Sequence, residues 1–334
     1  MTKKELVLQA VKRKETNLVP YNITLTAAEL ERFCGYAGID AKDFDDWSGN
    51  YIDKIDCVIG GGYIKPDYFS DPFGVVWNRT EDKDIGVIDS PPLISPEDRS
   101  YVFPKPDAEK IKAKLESKLN DGRDTFKFAK AGFTLFERAW SLVGLENLYM
   151  NFILEPEFVE YVLDEIVNYN LAILDVALQY DVGGVYFGDD YGQQTGLLFS
   201  PETWRQFIKP QLAKLFDRVR SSGKVVAMHS CGNISAVLGD LIDIGLEVYQ
   251  TVQPEVYDLQ KLKNEFGADL AFWGGISTQE LLPRATPEEV KKVTAETIKI
   301  MSKNGGYIAS PAHAVPCDTP PENIMALIEA FKKQ

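Results

Sequence analysis

The chain has 334 residues, 45% hydrophobic and 26% charged, enough for one large core and within the span of a single α/β barrel. A formal net charge of −14, with no run of Lys or Arg to offset it, excludes a nucleic-acid backbone as a natural partner. The four cysteines (Cys34, Cys57, Cys231 and Cys317) lack the dense regular spacing of a disulfide scaffold, so the expectation is a reducing compartment.

Met1 to Glu15 interleaves Lys and Glu with apolar residues at helical spacing and has no apolar run of membrane length, which predicts a cytoplasmic protein without a membrane partner. Leu18 to Thr24 and Lys54 to Gly60 read as the first two strands. The stretch from Tyr63 to Asp89, rich in Pro, Gly and aromatics, is predicted as a hairpin insertion between strands two and three, of the kind that shapes a barrel's mouth. From Thr125 onward, short β-type runs alternate with amphipathic helical runs, the pattern of parallel strands joined by helical crossovers. The strands are predicted at Phe126 to Ala131, Gly183 to Gly188, Lys224 to Cys231, Val248 to Gln253, Leu270 to Gly275 and Tyr307 to His313. Helices fall at Pro201 to Arg220, Ile234 to Ile244, Asp258 to Phe266 and Pro287 to Ser302, with Ser200-Pro201 and Thr286-Pro287 as start signals. Eight strands close a barrel, so the fold class is a single-domain (β/α)8 TIM barrel over residues 1–334. An open doubly wound sheet would be favoured by a glycine fingerprint opening its first helix, and none occurs.

Both histidines of the chain, His229 and His313, fall at the C-terminal ends of predicted strands, where barrel enzymes place their chemistry. Strand alternation sends Val225, Ala227, His229 and Cys231 to one side, so His-x-Cys presents an imidazole and a thiolate together at the mouth. That pair suits zinc, and a catalytic zinc site needs one further protein ligand and an open position. His313 and Cys317 are the candidates for the third ligand. Asp189 and Asp190 end strand four at the same rim, one as a functional carboxylate and the other as a turn cap. Gln253, Trp273 and Ser277 lie near strand ends, and Phe133 and Trp140 follow strand three, as candidate pocket walls.

The chain resembles the uroporphyrinogen decarboxylase superfamily, specifically its corrinoid-dependent methyltransferase branch, which includes methylcobamide:coenzyme M methyltransferases. The resemblance rests on Gly183 to Gln194, His229-Ser-Cys-Gly232, Phe272-Trp-Gly-Gly-Ile-Ser277, Pro311-Ala-His313 and Thr319-Pro-Pro-Glu-Asn-Ile324. It implies methyl transfer between a small molecule (methyl ether, methylamine, thiol or folate) and a corrinoid, with zinc held by a His-x-Cys pair and a later Cys. Registering Thr319-Pro-Pro-Glu-Asn on the family's motif puts His313 at that later position, so the implied set is His229, Cys231 and His313, with Cys317 as the alternative third ligand. A cobalamin-binding Asp-x-His-x-x-Gly loop does not occur, so the corrinoid is expected on a separate protein. The arginine pair that holds porphyrinogen carboxylates in the decarboxylases has no match, Arg32 being the only arginine between Leu18 and Ile39. A metal-free decarboxylase and a non-catalytic barrel that binds a partner are the rival readings.

Overall fold

In the computed structural model, which describes residues 1–98 and 100–334, seven parallel strands form one curled sheet. In chain order its members are β1 (Ile52–Asp56), β6 (Phe126–Ala131), β7 (Gly184–Gly188), β10 (Val225–His229), β11 (Val248–Val252), β12 (Ala271–Ile276) and β13 (Tyr307–Pro311), each hydrogen-bonded to the next. Between β1 and β6 the chain makes a four-stranded antiparallel sheet of β2 (Gly62–Lys65), β3 (Tyr68–Ser70), β4 (Val76–Asn78) and β5 (Val87–Ser90). That meander stands where the sequence suggested a single hairpin. A two-stranded ribbon of β8 (Gly192–Gln193) and β9 (Gly196–Leu197) follows β7. Among the described residues no helix is long and apolar enough to cross a membrane.

The first predicted strand is not a regular one. Residues 19–25 make only isolated parallel bridges, Tyr21 to Ala309 on β13 and Leu25 to Val315. Toward β1, one backbone bond joins Tyr51 N to the Tyr21 carbonyl at 3.1 Å. The buried Asn50 side chain supplies the rest, accepting from Ile23 N at 2.8 Å and donating to the Ile23 carbonyl at 2.9 Å. A side-chain amide thus stands in for strand backbone, and Pro20 has no N–H to offer a ladder.

The pleat divides the sheet's side chains into two apolar layers. Facing inward, Ile52, Phe126, Phe128, Tyr186, Val225, Ala227, Val248, Ala271, Trp273 and Ile308 pack together, with Val7, Ala10 and Val11 of the first helix (Lys3–Val11) against them. The outward residues, such as Val226, Met228, Tyr249 and Phe272, belong to the larger core beneath the helices. Helix starts follow the sequence signals: Ser200 accepts from Thr203 N, and Thr286 forms a capping box with Glu289. The helix expected from Pro201 to Arg220 widens to π geometry over Trp204–Ile208. Pro210, which cannot donate to the carbonyl four residues back, lies just beyond the widened turn.

Candidate active site at the strand ends

β10 carries Val225 and Ala227 into the inner layer and ends at His229, which therefore emerges at the C-terminal rim. Beyond it the chain turns sharply at Gly232, whose φ is +75°; a Cβ there would stand 2.2 Å from the Gly192 backbone. The turn is fixed from outside, with Cys231 N donating to Asp190 Oδ1 at 2.8 Å and Gly232 N to Gln253 Oε1 at 2.6 Å. Cys231 Sγ is consequently 3.3 Å from His229 Nε2. His313 arrives two residues beyond β13, where Ala312 N bonds the Ile276 carbonyl at 2.8 Å and the Ala312 carbonyl accepts from Thr251 Oγ1. One ligand atom from each of His229, Cys231 and His313 lies within 4.8 Å of the others.

Imidazole orientation at His229 is settled by its far nitrogen. Nδ1 contacts Gln250 Oε1, which also accepts from Tyr186 Oη at 2.6 Å. With Nδ1–H donating to that oxygen, Nε2 turns toward Cys231 and toward Asp190 Oδ1, 3.3 Å away. Burial pushes the His229 pKa down, but Tyr186, Cys231 and Asp190 outweigh it and hold the ring's pKa well above the usual 6.5. Burial would raise Asp190, yet His229 and the Cys231 N–H bring it down to about 2.

The two rim aspartates separate cleanly. Asp189, wholly buried, accepts from Phe136 N at 2.8 Å, Glu137 N at 2.7 Å and Tyr191 Oη at 2.6 Å, anchoring the start of the helix Phe136–Val143. Burial raises its pKa to about 6. Asp190 alone faces the cavity.

That cavity, about 280 Å³, opens at the rim and is walled by Phe133, Tyr186, Trp273, His229 and His313 together with Lys54, Lys130, Glu137 and Gln250. Phe133 and Trp273, candidate wall residues from the sequence, both line it. Trp140 stands behind the wall, its ring 6.5 Å from Trp77, which packs on Phe133. Gln253 braces the Gly232 turn, and Ser277 Oγ receives Glu280 N at 2.9 Å and donates to Glu255; neither lines the cavity. Cys317 is exposed and lies outside the His229, Cys231, His313 group.

Sequence reading missed several cavity residues, among them Gln250, Glu137 and Lys54. Gln250 was visible as the polar residue inside Val-Tyr-Gln-Thr-Val. Glu137 lies in the first turn after Phe136, and burial, then Asp190 and Asp189, raise its pKa well above 4.5. Lys54 was hidden by a boundary error, because β1 begins at Ile52 rather than at Lys54, and alternation from inward-facing Ile52 turns Lys54 inward as well.

Residues 78–334 match the uroporphyrinogen decarboxylase (URO-D) family. The chain belongs to that family. Among characterised relatives it is 33% identical over 133 residues to the methylcobamide:CoM methyltransferase MtaA of Methanosarcina barkeri, covering 40% of this chain and 37% of that protein. Its similarity to the methylated-thiol–coenzyme M methyltransferase of Methanosarcina mazei is 25% over 198 residues, covering 59% of this chain and 51% of the other. A uroporphyrinogen decarboxylase of Magnetococcus marinus is 22% identical over 183 residues, covering 54% of this chain and 49% of that protein. The matched stretches thus span about half or less of these relatives' own lengths. In three dimensions the fold matches a methyltransferase from Methanosarcina mazei with a TM-score of 0.77 at 20% identity, covering 100% of this chain and 99% of the other.

Proposed function

We propose that this URO-D family member is a zinc-dependent methyltransferase that moves a methyl group between a small molecule and a corrinoid carried by a separate protein. The observation that carries the reading is the convergence of His229, Cys231 and His313 from two strand ends onto one point, with His229 and His313 lining the cavity. Relatives named as methyltransferases support it. The donor set fits zinc, with two imidazoles, one thiol and a His229 tautomer already turned the right way by Gln250. Bound there, zinc would supply a Lewis acid for the heteroatom that carries or receives the methyl group. A single thiolate in the set would leave the ion a stronger Lewis acid than two would, which favours polarising a methyl ether or methylamine over activating a thiol.

The chain's own residues provide the rest. Glu137, whose pKa burial and its two aspartate neighbours push well above the ordinary carboxylate value, stands at the cavity wall where it would serve as a proton donor to the oxygen or nitrogen left behind when the methyl departs. Phe133, Tyr186 and Trp273 present an apolar wall that excludes water from the reacting atoms. A cavity of about 280 Å³ suits a small substrate rather than a porphyrinogen. Arg32, the one arginine between Leu18 and Ile39, is bound to Glu29 at 2.6 Å and to the Thr319 carbonyl, away from the cavity. The same reading takes residues 1–334 as one domain with segment 19–25 as the eighth stave, and places it in the cytoplasm on its four unpaired thiols.

The test is a spectroscopic methyl-transfer assay with free cob(I)alamin and a panel of small methyl ethers, methylamines and methylthiols. Zinc-loaded protein should convert the cob(I)alamin to methylcobalamin with at least one donor class, and Cys231→Ala should not. Equal rates with and without the protein across the panel would defeat the proposal.

A further inference from the structure

The barrel wall is closed unevenly around the irregular segment 19–25. Toward β13 the backbone is zipped: Asn22 N donates to the Ala309 carbonyl at 3.0 Å, Ala309 N to Pro20 at 2.9 Å, Val315 N to Thr24 at 2.9 Å and Thr26 N to Val315 at 3.1 Å. Toward β1 the bond from Tyr51 N and the Asn50 amide hold the segment at Tyr21 and Ile23. Past Ile23, among the described residues, no hydrogen bond joins Thr24 or Leu25 to β1.

Two cavities meet at that gap. The mouth cavity lies on its inner side, and on its outer side is a chamber of about 270 Å³ walled by Leu30, Ala41, Phe44, Asp53, Lys118 and Arg123. Asn22, Thr24 and Lys54 line both. These groups are polar and do not satisfy one another. Among the described residues Lys54 makes no ion pair and no hydrogen bond, and its Nζ faces the Tyr186 and Trp273 rings at 5.0 and 5.5 Å. Thr24 Oγ1 accepts from Asn22 Nδ2 at 3.1 Å, but Asn22 Oδ1, in a residue 4% exposed, has no protein partner. Arg123 Nη2, on the chamber side, has none either. Unmatched buried donors and acceptors on the two lips of a gap are the groups that bridging water satisfies.

We propose that this gap is a side passage through the barrel wall, bridged by water at Lys54, Asn22 and Thr24, through which water and small neutral solutes move between the cavity and the outer chamber while the mouth is covered. A substrate that settles against Phe133, Tyr186 and Trp273 displaces water, and a carrier protein seated on the mouth leaves that water no exit there. The unzipped side of segment 19–25 supplies one. The need for such an exit rests on the proposed methyl transfer with a separate corrinoid protein; the passage itself does not.

Thiol labelling tests it on metal-free protein. The reporter is Ser310→Cys in a Cys317→Ser background, at a buried position that lines the mouth cavity and not the chamber. Ile85→Trp narrows the mouth, where Ile85 is half exposed, and Ala41→Trp fills the chamber from outside. Mass spectrometry follows modification by a small reagent, methyl methanethiosulfonate, and by a bulky biotinylated one. Narrowing the mouth should slow the bulky reagent several-fold and the small one much less. Adding Ala41→Trp to the narrowed protein should then slow the small reagent several-fold, and Ala41→Phe serves the same purpose if circular dichroism shows that Ala41→Trp does not fold. The passage is refuted if Ile85→Trp alone slows both reagents alike, or if filling the chamber leaves the small reagent's rate in the narrowed protein unchanged. A crystal structure of the wild-type protein gives an independent reading: ordered water between Lys54, Asn22 and Thr24 is expected, and a dry seam with Lys54 Nζ bonded directly to Asn22 Oδ1 would overturn it. Chamber-sensitive labelling in a protein that transfers no methyl group loses the function and retains the passage; methyl transfer with chamber-insensitive labelling does the reverse.

Discussion

At His229 the competition is between a proton and a metal ion. The acidic and polar surroundings that raise its pKa stabilise the imidazolium in the metal-free protein, so any ion that binds Nε2 must displace that proton. Zinc affinity is therefore expected to fall as pH drops from 8 to 6, by roughly tenfold per unit for each proton displaced. For the metal-free protein the linkage has the opposite sign. A raised folded pKa contributes stability below the unfolded value of 6.5, and that stability is lost as pH rises through the folded pKa. Glu137, also raised, adds in the same direction above its unfolded 4.5. Melting curves from pH 6 to 9 should show the apoprotein weakening while the zinc-loaded protein gains; parallel curves for the two forms would contradict this. Gln250 tests the tautomer separately. Gln250→Leu removes the acceptor at Nδ1 and is expected to weaken zinc binding about 10–100-fold. An unchanged affinity by competition with a chelator would mean that Gln250 does not set the ring.

Elements decide what each carboxylate does, and here sequence reading was strong on strands and weak on loops. Six strand predictions from Phe126 onward agree with β6, β7, β10, β11, β12 and β13 to within two residues at either end, because buried parallel strands are apolar runs bounded by polar turns. His229, Cys231 and His313 were legible for the same reason, each following a strand whose end was already marked. The meander of β2 to β5 was not legible, since its short exposed strands carry little alternation. Asp189 and Asp190 could not be told apart, because the helix that captures Asp189 begins 53 residues earlier, at Phe136. Asp189→Asn, which puts an amide against two backbone N–H groups, is expected to cost about 2–4 kcal/mol in denaturant unfolding. A loss under about 0.5 kcal/mol would deny the anchoring role. The meander hangs on Asp71, whose carboxylate binds Phe73 N, Val75 N, the Trp77 indole and Arg138 on the helix behind the cavity wall. Asp71→Ala leaves Arg138 buried and unpaired, and about 3–5 kcal/mol of lost stability is expected from equilibrium unfolding. Near-wild-type stability would show that the meander docks by its apolar contacts alone.

On the scale of the whole molecule, the curled sheet gathers residues from distant parts of the chain at one rim, and the first helix packs against the inner layer at its base. The cavity lies at that rim, among the ligand-type residues. Whether that opening holds zinc through one sulfur or two separates a heteroatom-polarising site from a two-thiolate one. X-ray absorption at the zinc edge on purified protein measures this directly. Expected are one ion per chain and a first coordination sphere with one sulfur at about 2.3 Å and nitrogen or oxygen ligands at about 2.0–2.1 Å, all lost in Cys231→Ala and His313→Ala and retained in Cys317→Ser. An absence of zinc, or two sulfur ligands that fall to one in Cys317→Ser, would contradict the His229, Cys231, His313 site.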